Sequence, residues 1–285
     1  MRQNQNEVTI RFATSEDTAA VIELWSICFP GDEEFRDYFF SRLYMPEQNL
    51  LLLCENKLCA MTQMLPYRMQ NGSKTENITY IYGACTHPDF RRRHLMDMLL
   101  HRSFELDCEM GRTASVLIPQ EAWLFDFYAQ FGYAPTLFVS DHRYKEKPAA
   151  PACPLRSAQG EDLSAMDLLF HAHLWDGTYL CRDEKEWRKQ LELFTNCGGE
   201  VLCAGPEGAP DGYAFVWCSE TQIWAQELVC STEMEQIWVA ALMERYQKTD
   251  CTVTGLTFSS RQPLGCVLRY DGTQPAEGYI NLMLN

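Results

Sequence analysis

GACTHPDFRRRHLMDMLL, residues 83–100, follows on the apolar run ITYIYGAC (78–85) and carries the chain from a strand, through a proline turn, into an amphipathic helix. Pro88 fixes its own φ and pushes His87 toward extended geometry, so the strand ends before the cationic segment begins. A helix that opens there has unpaired N–H groups and a positive dipole end. Residues 90–95 could therefore cradle a pyrophosphate while Arg91, Arg92 and Arg93 supply charge. Leu95, Met98, Leu99 and Arg102 follow at helical spacing, with the apolar members directed inward. A surface helix with three solvated arginines would show the same local pattern.

A second segment, FDFYAQFGYAP (125–135), places Tyr128 near the end of a short helix, four residues before the stop at Gly132. The two segments together resemble the GNAT superfamily of N-acetyltransferases. Its acetyl-CoA pyrophosphate loop is written R/Q-x-x-G-x-G/A after a strand, and its second signature is FYxxxGF. The first loop position matches Arg91, and the two positions usually held by Gly or Ala match His94 and Met96. These are departures, because glycine there permits positive φ and close approach of the backbone to phosphate. The arginine run followed by a large apolar residue also resembles the enhanced intracellular survival subgroup. That resemblance implies tandem GNAT units with a degenerate second unit.

Composition bounds the function. The 285 residues suffice for two domains of ordinary size, and 39 acidic against 24 basic residues give a net charge of −15. This balance argues against nucleic-acid binding and suits cationic small molecules, although acidity also serves solubility alone. Thirteen cysteines, an odd number with no C-x-x-C spacing and no leader-like opening segment, read as reduced thiols in a cytoplasmic protein. No apolar run reaches membrane-spanning length. Cys85 beside His87 allows a nucleophilic cysteine, and His171-x-His173 a weak zinc hint, but no metal site is expected. Apolar strands such as GYAFVWCS (212–219) suit a subunit interface as well as a core, which leaves a homo-oligomer open.

The expected fold is α/β, with two tandem GNAT-like domains, each a mixed and largely antiparallel sheet flanked by helices. Domain one spans 1–145. Its order is a strand at 7–13, a helix capped by Ser15, a second helix over 33–44, strands at 49–56, 57–70 and 76–85, a helix over 92–110, a strand at 113–118, a short helix over 121–130 and a strand at 136–144. Residues 146–154, with Pro148, Pro151 and Pro154, read as a linker. Domain two, 155–285, opens with LRSAQGEDLSAMDLLF (155–170), which parallels IRFATSEDTAAVIELW (10–25) and points to an internal duplication. It continues with a helix near 183–194, strands around EVLCAG, GYAFVWCS and QIWAQELVC, and a helix over 233–246. The turn after QELVC holds no arginine run.

The resemblance implies a cytoplasmic, acetyl-CoA-dependent N-acetyltransferase that acts directly on a primary amine of a small cationic acceptor, with a peptide N-terminus or lysine left open. It assigns Arg91, Arg92, Arg93, His94, Leu95 and Met96 to the pyrophosphate. The amides of Ala84, Cys85 and Thr86, exposed where the fourth strand splays from the fifth, go to the pantetheine and the carbonyl. Tyr128 becomes the acid that protonates the leaving thiolate. Candidates for the base or for acceptor binding are Asp32, Glu33 and Glu34, or the terminal carboxylate of Asn285 delivered by a strand GYINLMLN. The subgroup's sterol-carrier-like third domain is expected to be absent. The rival readings are a GNAT-fold pseudoenzyme that senses acyl-CoA or serves as a scaffold, and transfer of a longer acyl group.

Overall fold

Strand β2 (Asn49–Cys54, NLLLLC) is buried along its whole length, and its neighbours explain why. Alternate residues of a strand face opposite sides. Leu51 and Leu53 pack with Val21, Leu24, Trp25 and Phe39 on one face, while Leu50 and Leu52 pack with Ile81, Leu99, Leu100 and Tyr128 on the other. A strand covered by helices on both sides reads as a continuous apolar run. A computed structural model describes residues 8–31, 33–174, 177–256 and 261–284. The chain divides into two compact units: Met1–Met69 with Lys74–Ala134 and Cys266–Pro275, and Gln70–Ser73 with Pro135–Gly265 and Ala276–Asn285. This division falls elsewhere than at the proline-rich segment 146–154, because the strand expected to close domain one belongs to the second unit and a late segment belongs to the first.

In the first unit, β1 (Val8–Phe12) is followed by α1 (Thr18–Cys28), α2 (Glu33–Arg42), β2, β3 (Lys57–Asn71), β4 (Lys74–Thr86), α3 (Leu95–Glu109), β5 (Ala114–Leu117) and α4 (Ala122–Ala129). Strand order is β1-β2-β3-β4-β5. β1 and β3 run antiparallel to β2, and β4 runs parallel to β5 with Ile78 opposite Ala114. Cys266–Arg269 then lies antiparallel to β5, Cys266 opposite Leu117. The turn into α1 is closed by Thr14 and Asp17 rather than by Ser15: the Thr14 N–H donates to Asp17 Oδ2 at 2.8 Å, and Arg11 holds both Asp17 oxygens at 2.8 Å.

The second unit runs β6 (Ala134–Tyr144), β7 (Leu155–Ser157), α5 (Leu163–His173), β8 (Thr178–Leu180), α6 (Glu184–Asn196), β9 (Glu200–Ala204), β10 (Gly212–Cys218), β11 (Ile223–Val229), α7 (Glu235–Tyr246), β12 (Cys251–Gly255), the start of β13 (Arg261–Arg269), whose residues from Cys266 on belong to the first unit, and β14 (Gly278–Tyr279). The sheet order is β6-β12-β11-β10-β9-β7. The opening device of the first unit recurs here, since Arg156 grips both Asp162 oxygens and Asp162 accepts the Gln159 N–H at 2.8 Å. Arg11–Asp17 and Arg156–Asp162 occupy equivalent places in the two aligned segments, which is structural support for the duplication. At the centre of the unit, buried Arg182 forms a two-pronged ion pair with Glu227, which also accepts from the Tyr213 and Tyr279 hydroxyls. The tail expected as a strand is one only at Gly278–Tyr279; Ile280–Leu284 are nevertheless buried, with Asn281 hydrogen-bonded to the Gln226 carbonyl and to Arg182.

Candidate active site

Strand β4 remains bonded to β3 as far as the His87 N–H, which donates to the Cys59 carbonyl at 2.9 Å. Its register with β5 covers Ile78, Thr79 and Tyr80, opposite Ala114, Ser115 and Val116, while Cys266–Arg269 take the other edge of β5. The parallel pairing therefore ends at Tyr80 while β4 runs on, and Ile81–Thr86 continue along the edge that the short β5 leaves open. Gly83 sits in this stretch with φ +56°, and an added Cβ would come within 2.4 Å of the Trp25 ring. Only glycine combines that conformation with so close an approach. Ala84, Cys85 and Thr86 follow directly.

The turn after β4 is a short 3-10 segment, Pro88–Phe90, followed by the basic residues and by α3, which begins at Leu95 rather than at 92. Arg92 and His94 both adopt left-handed backbone, φ 59° and 58°. These two kinks take the chain from the strand into the helix axis without glycine. The Met98 N–H donates to the His94 carbonyl at 3.2 Å, so the helix N–H groups before it open toward the turn. The Arg91 side chain reaches back to the Thr86 carbonyl at 3.2 Å, using one of five N–H donors. Arg93 donates to the Asp89 carbonyl at 3.0 Å and stacks over Phe90, while Arg92 is exposed. His94 pairs with Asp97 at 2.7 Å and keeps its side chain 86% exposed. Leu95 is buried and Met96 packs at the edge of the core. These residues fit an anionic phosphate ligand: three cations and a helix N-terminus meet in one turn.

Tyr128 lies in the last turn of α4, and Gly132, φ +91°, ends the segment as its position suggested. The phenol belongs to the same buried cluster as Ile81, Leu95, Leu117 and Cys266, which border the open strand edge and the start of α3. Burial, reinforced by Cys266 and Cys85, pushes its pKa up to about 12. It is thus fully protonated at neutral pH.

Cys85 and His87 do not form a nucleophilic pair. Cys85 is hydrogen-bonded with Cys28 and burial pushes its thiol well up, while His87 Nδ1 accepts the Asp89 N–H at 3.2 Å. The residue that sequence reasoning missed is Cys28, at the end of α1. Its thiol donates to the Thr86 carbonyl at 3.6 Å, and the Cys85 hydrogen bond together with the Arg91 charge lowers its pKa to about 7. Nothing in the local sequence signals that meeting. Glu33 and Glu34 stand exposed in the first turn of α2, which packs on α1 through Trp25–Phe39 stacking. Asp32 and Asn285 lie outside the described residues. His171 faces Asp167 at 3.6 Å, and His173 bonds to the Leu169 carbonyl of its own helix. Among the described residues no helix is long and apolar enough to cross a membrane.

Residues 9–136 match the acetyltransferase (GNAT) domain model. No curated protein matches the sequence. Among solved structures the fold is similar to that of a conserved protein of unknown function from Enterococcus faecalis V583, given as a "Probable N-Acyltransferase", with TM-score 0.73, 13% identity, and 92% of this chain and 72% of that chain covered. It is also similar to a GCN5-related N-acetyltransferase from Anabaena variabilis (TM-score 0.71, 15% identity, 92% and 72% covered) and to Eis1 from Mycobacterium abscessus (TM-score 0.63, 17% identity, 92% and 73% covered). The matched domain spans the end of β4, the basic turn and Tyr128, so residues 9–136 are a GNAT acetyltransferase domain, and the chain shares its fold with these N-acyltransferase structures.

Proposed function

We propose that the protein transfers an acetyl group from acetyl-CoA to the primary amine of a small cationic acceptor, with the first unit catalytic and the second a degenerate GNAT unit. The observation that carries this reading is the β4 edge left open beyond Tyr80 beside a glycine-free but left-handed basic turn, with a protonated Tyr128 in the adjoining core. Arg91, Arg92, Arg93 and the N-terminal amides from His94 to Met96 hold the pyrophosphate. The edge at Ala84, Cys85 and Thr86 aligns the pantetheine and the thioester carbonyl, which lowers the entropic cost of meeting the amine. As the amine nitrogen bonds to the carbonyl carbon and the C–S bond breaks, the Tyr128 proton passes to the departing sulfur. Asp32, Glu33 and Glu34, or the Asn285 carboxylate, attract the acceptor's ammonium group or take its proton. The net charge of −15 supports a cationic acceptor. In the second unit the turn after β11 carries Glu233 and Glu235 where the first unit carries arginines, which supports its loss of cofactor binding.

Isothermal titration with acetyl-CoA tests the reading. Micromolar binding is expected, weakened at least tenfold in Arg91→Ala. In an amine screen Tyr128→Phe should lower kcat by about 10²-fold or more with little change in acetyl-CoA affinity. Absence of binding in both the wild type and His94→Gly would overturn the reading and leave a GNAT-shaped binding module.

A further inference from the structure

The second unit repeats the arrangement of strand, turn, helix and strand as β11, Thr232–Met234, α7 and β12, and the parallel register of β11 with β12 shifts between Ala225 and Leu228. A notch of about 20 Å³, room for one water-sized polar group such as an ammonium head, opens at that place. Leu228 and Cys230 from the end of β11, Thr232 from the turn, Glu235 from the first residue of α7, and Ser140 and His142 from β6 line it. Two features set its chemistry. Glu235 Oε1 accepts from His142 Nδ1 at 2.8 Å and from the Tyr144 hydroxyl at 2.7 Å, so a carboxylate is held at the wall by two donors. Ser140 is 3% exposed, lines the cavity, and its Oγ has no hydrogen-bond partner. A buried hydroxyl without a protein partner is uncommon in folded proteins and is met by water or by a ligand group in the adjoining space.

We propose that this cavity is a second ligand site, and that it takes a small primary ammonium group. An ammonium has three N–H donors and no acceptor, which suits a carboxylate and a serine lone pair. A phosphate is disfavoured, because the turn carries Glu233 and Glu235 in place of cations and like charge repels it. The site is separate from the basic turn and does not depend on the acetyl-transfer reading.

The test is isothermal titration of the full chain with n-propylammonium chloride, with n-propanol and sodium propionate as controls. Saturable binding of propylammonium is expected, weakened tenfold or more by Glu235→Gln and by Ser140→Val, with no binding of propionate. Circular dichroism checks the fold of each variant, and if Glu235→Gln fails to fold, Ser140→Val decides. No saturable binding to the wild type, equal binding of propanol, or binding unchanged in a folded variant would each overturn the proposal. Acetyl-CoA affinity, measured in the same samples, should not move, which separates this result from that of the first unit.

Discussion

His94 holds a left-handed backbone at a position where glycine would do so without strain, at a cost of about 1 kcal/mol. Its Asp97 partner and the burial of the next residue, Leu95, compensate, and the exposed imidazole stands in solvent. A loop glycine therefore serves approach rather than turn formation here, since Arg92 and His94 make the same kinks. Residue-scale chemistry is also altered at Cys28. A hydrogen bond with Cys85, and then the Arg91 charge, favour its thiolate, with a pKa of about 7 against an ordinary value near 8.5. Iodoacetamide labelling at Cys28, followed by peptide mass spectrometry, should be half-maximal near pH 7. Cys85→Ala should move that midpoint up by about one unit. A midpoint unchanged in Cys85→Ala would contradict the hydrogen-bonded pair.

At the scale of elements, the two opening turns make a controlled comparison. Both use an arginine on the strand to grip an aspartate that caps the following helix, but their surroundings differ. Asp17 remains 17% exposed beside an Arg11 that is 40% exposed, whereas Asp162 is fully buried and also accepts the Gly208 N–H at 2.8 Å. The Arg156 hydrogen bond is the largest cause that holds the Asp162 carboxyl at about 2. A depressed folded-state pKa contributes stability above the unfolded value near 3.9, and that stability is lost as pH falls toward 2. Arg156→Ala should cost about 1–2 kcal/mol at pH 7, a deficit that shrinks between pH 4 and pH 2, and Arg11→Ala less, because solvent screens the more exposed Arg11–Asp17 pair although its carboxyl is held lower still. Urea unfolding of both variants at pH 7 and pH 3 measures this. Equal losses for the two would mean that burial of the aspartate does not set the strength of the device.

For the molecule as a whole, buried tyrosines set the alkaline limit. Tyr80, Tyr128, Tyr133, Tyr213 and Tyr279 are all buried, and desolvation raises each of their pKa values above the ordinary 10. A raised folded-state pKa contributes stability that is complete below about 10 and is lost as pH rises beyond it, because the unfolded chain releases its protons first. Thermal unfolding should therefore show a Tm that begins to decline at about pH 8.5, where the buried thiols of Cys85, Cys203, Cys251 and Cys266 ionise only on unfolding, and falls steeply above about 10. The steep fall should coincide with tyrosinate absorbance appearing in the unfolded fraction. Tyrosinate absorbance equal to that of all thirteen tyrosines while the protein is still folded would refute that account.

The order of strands and helices from β1 to β6 was legible because each carries a local signal: alternation or a fully apolar run in the strands, caps and helical spacing in the helices. So were the basic turn and Tyr128, whose residue types and spacing lie within short stretches. β8, β12 and β13 were missed. β8 and β12 are short, and RQPLGCVLR of β13 contains Pro263 and Gly265, which read as breakers. Tertiary structure alone decided that Cys266–Arg269 returns to pair with β5, that β4 leaves β5 after Tyr80, that Cys28 meets Cys85 and Arg91, and that Ser140 faces an acidic cavity beside Glu235. Local propensity and pattern specify elements, whereas these encounters join residues far apart in the chain and follow from which packed arrangement buries the most apolar surface with its polar groups paired.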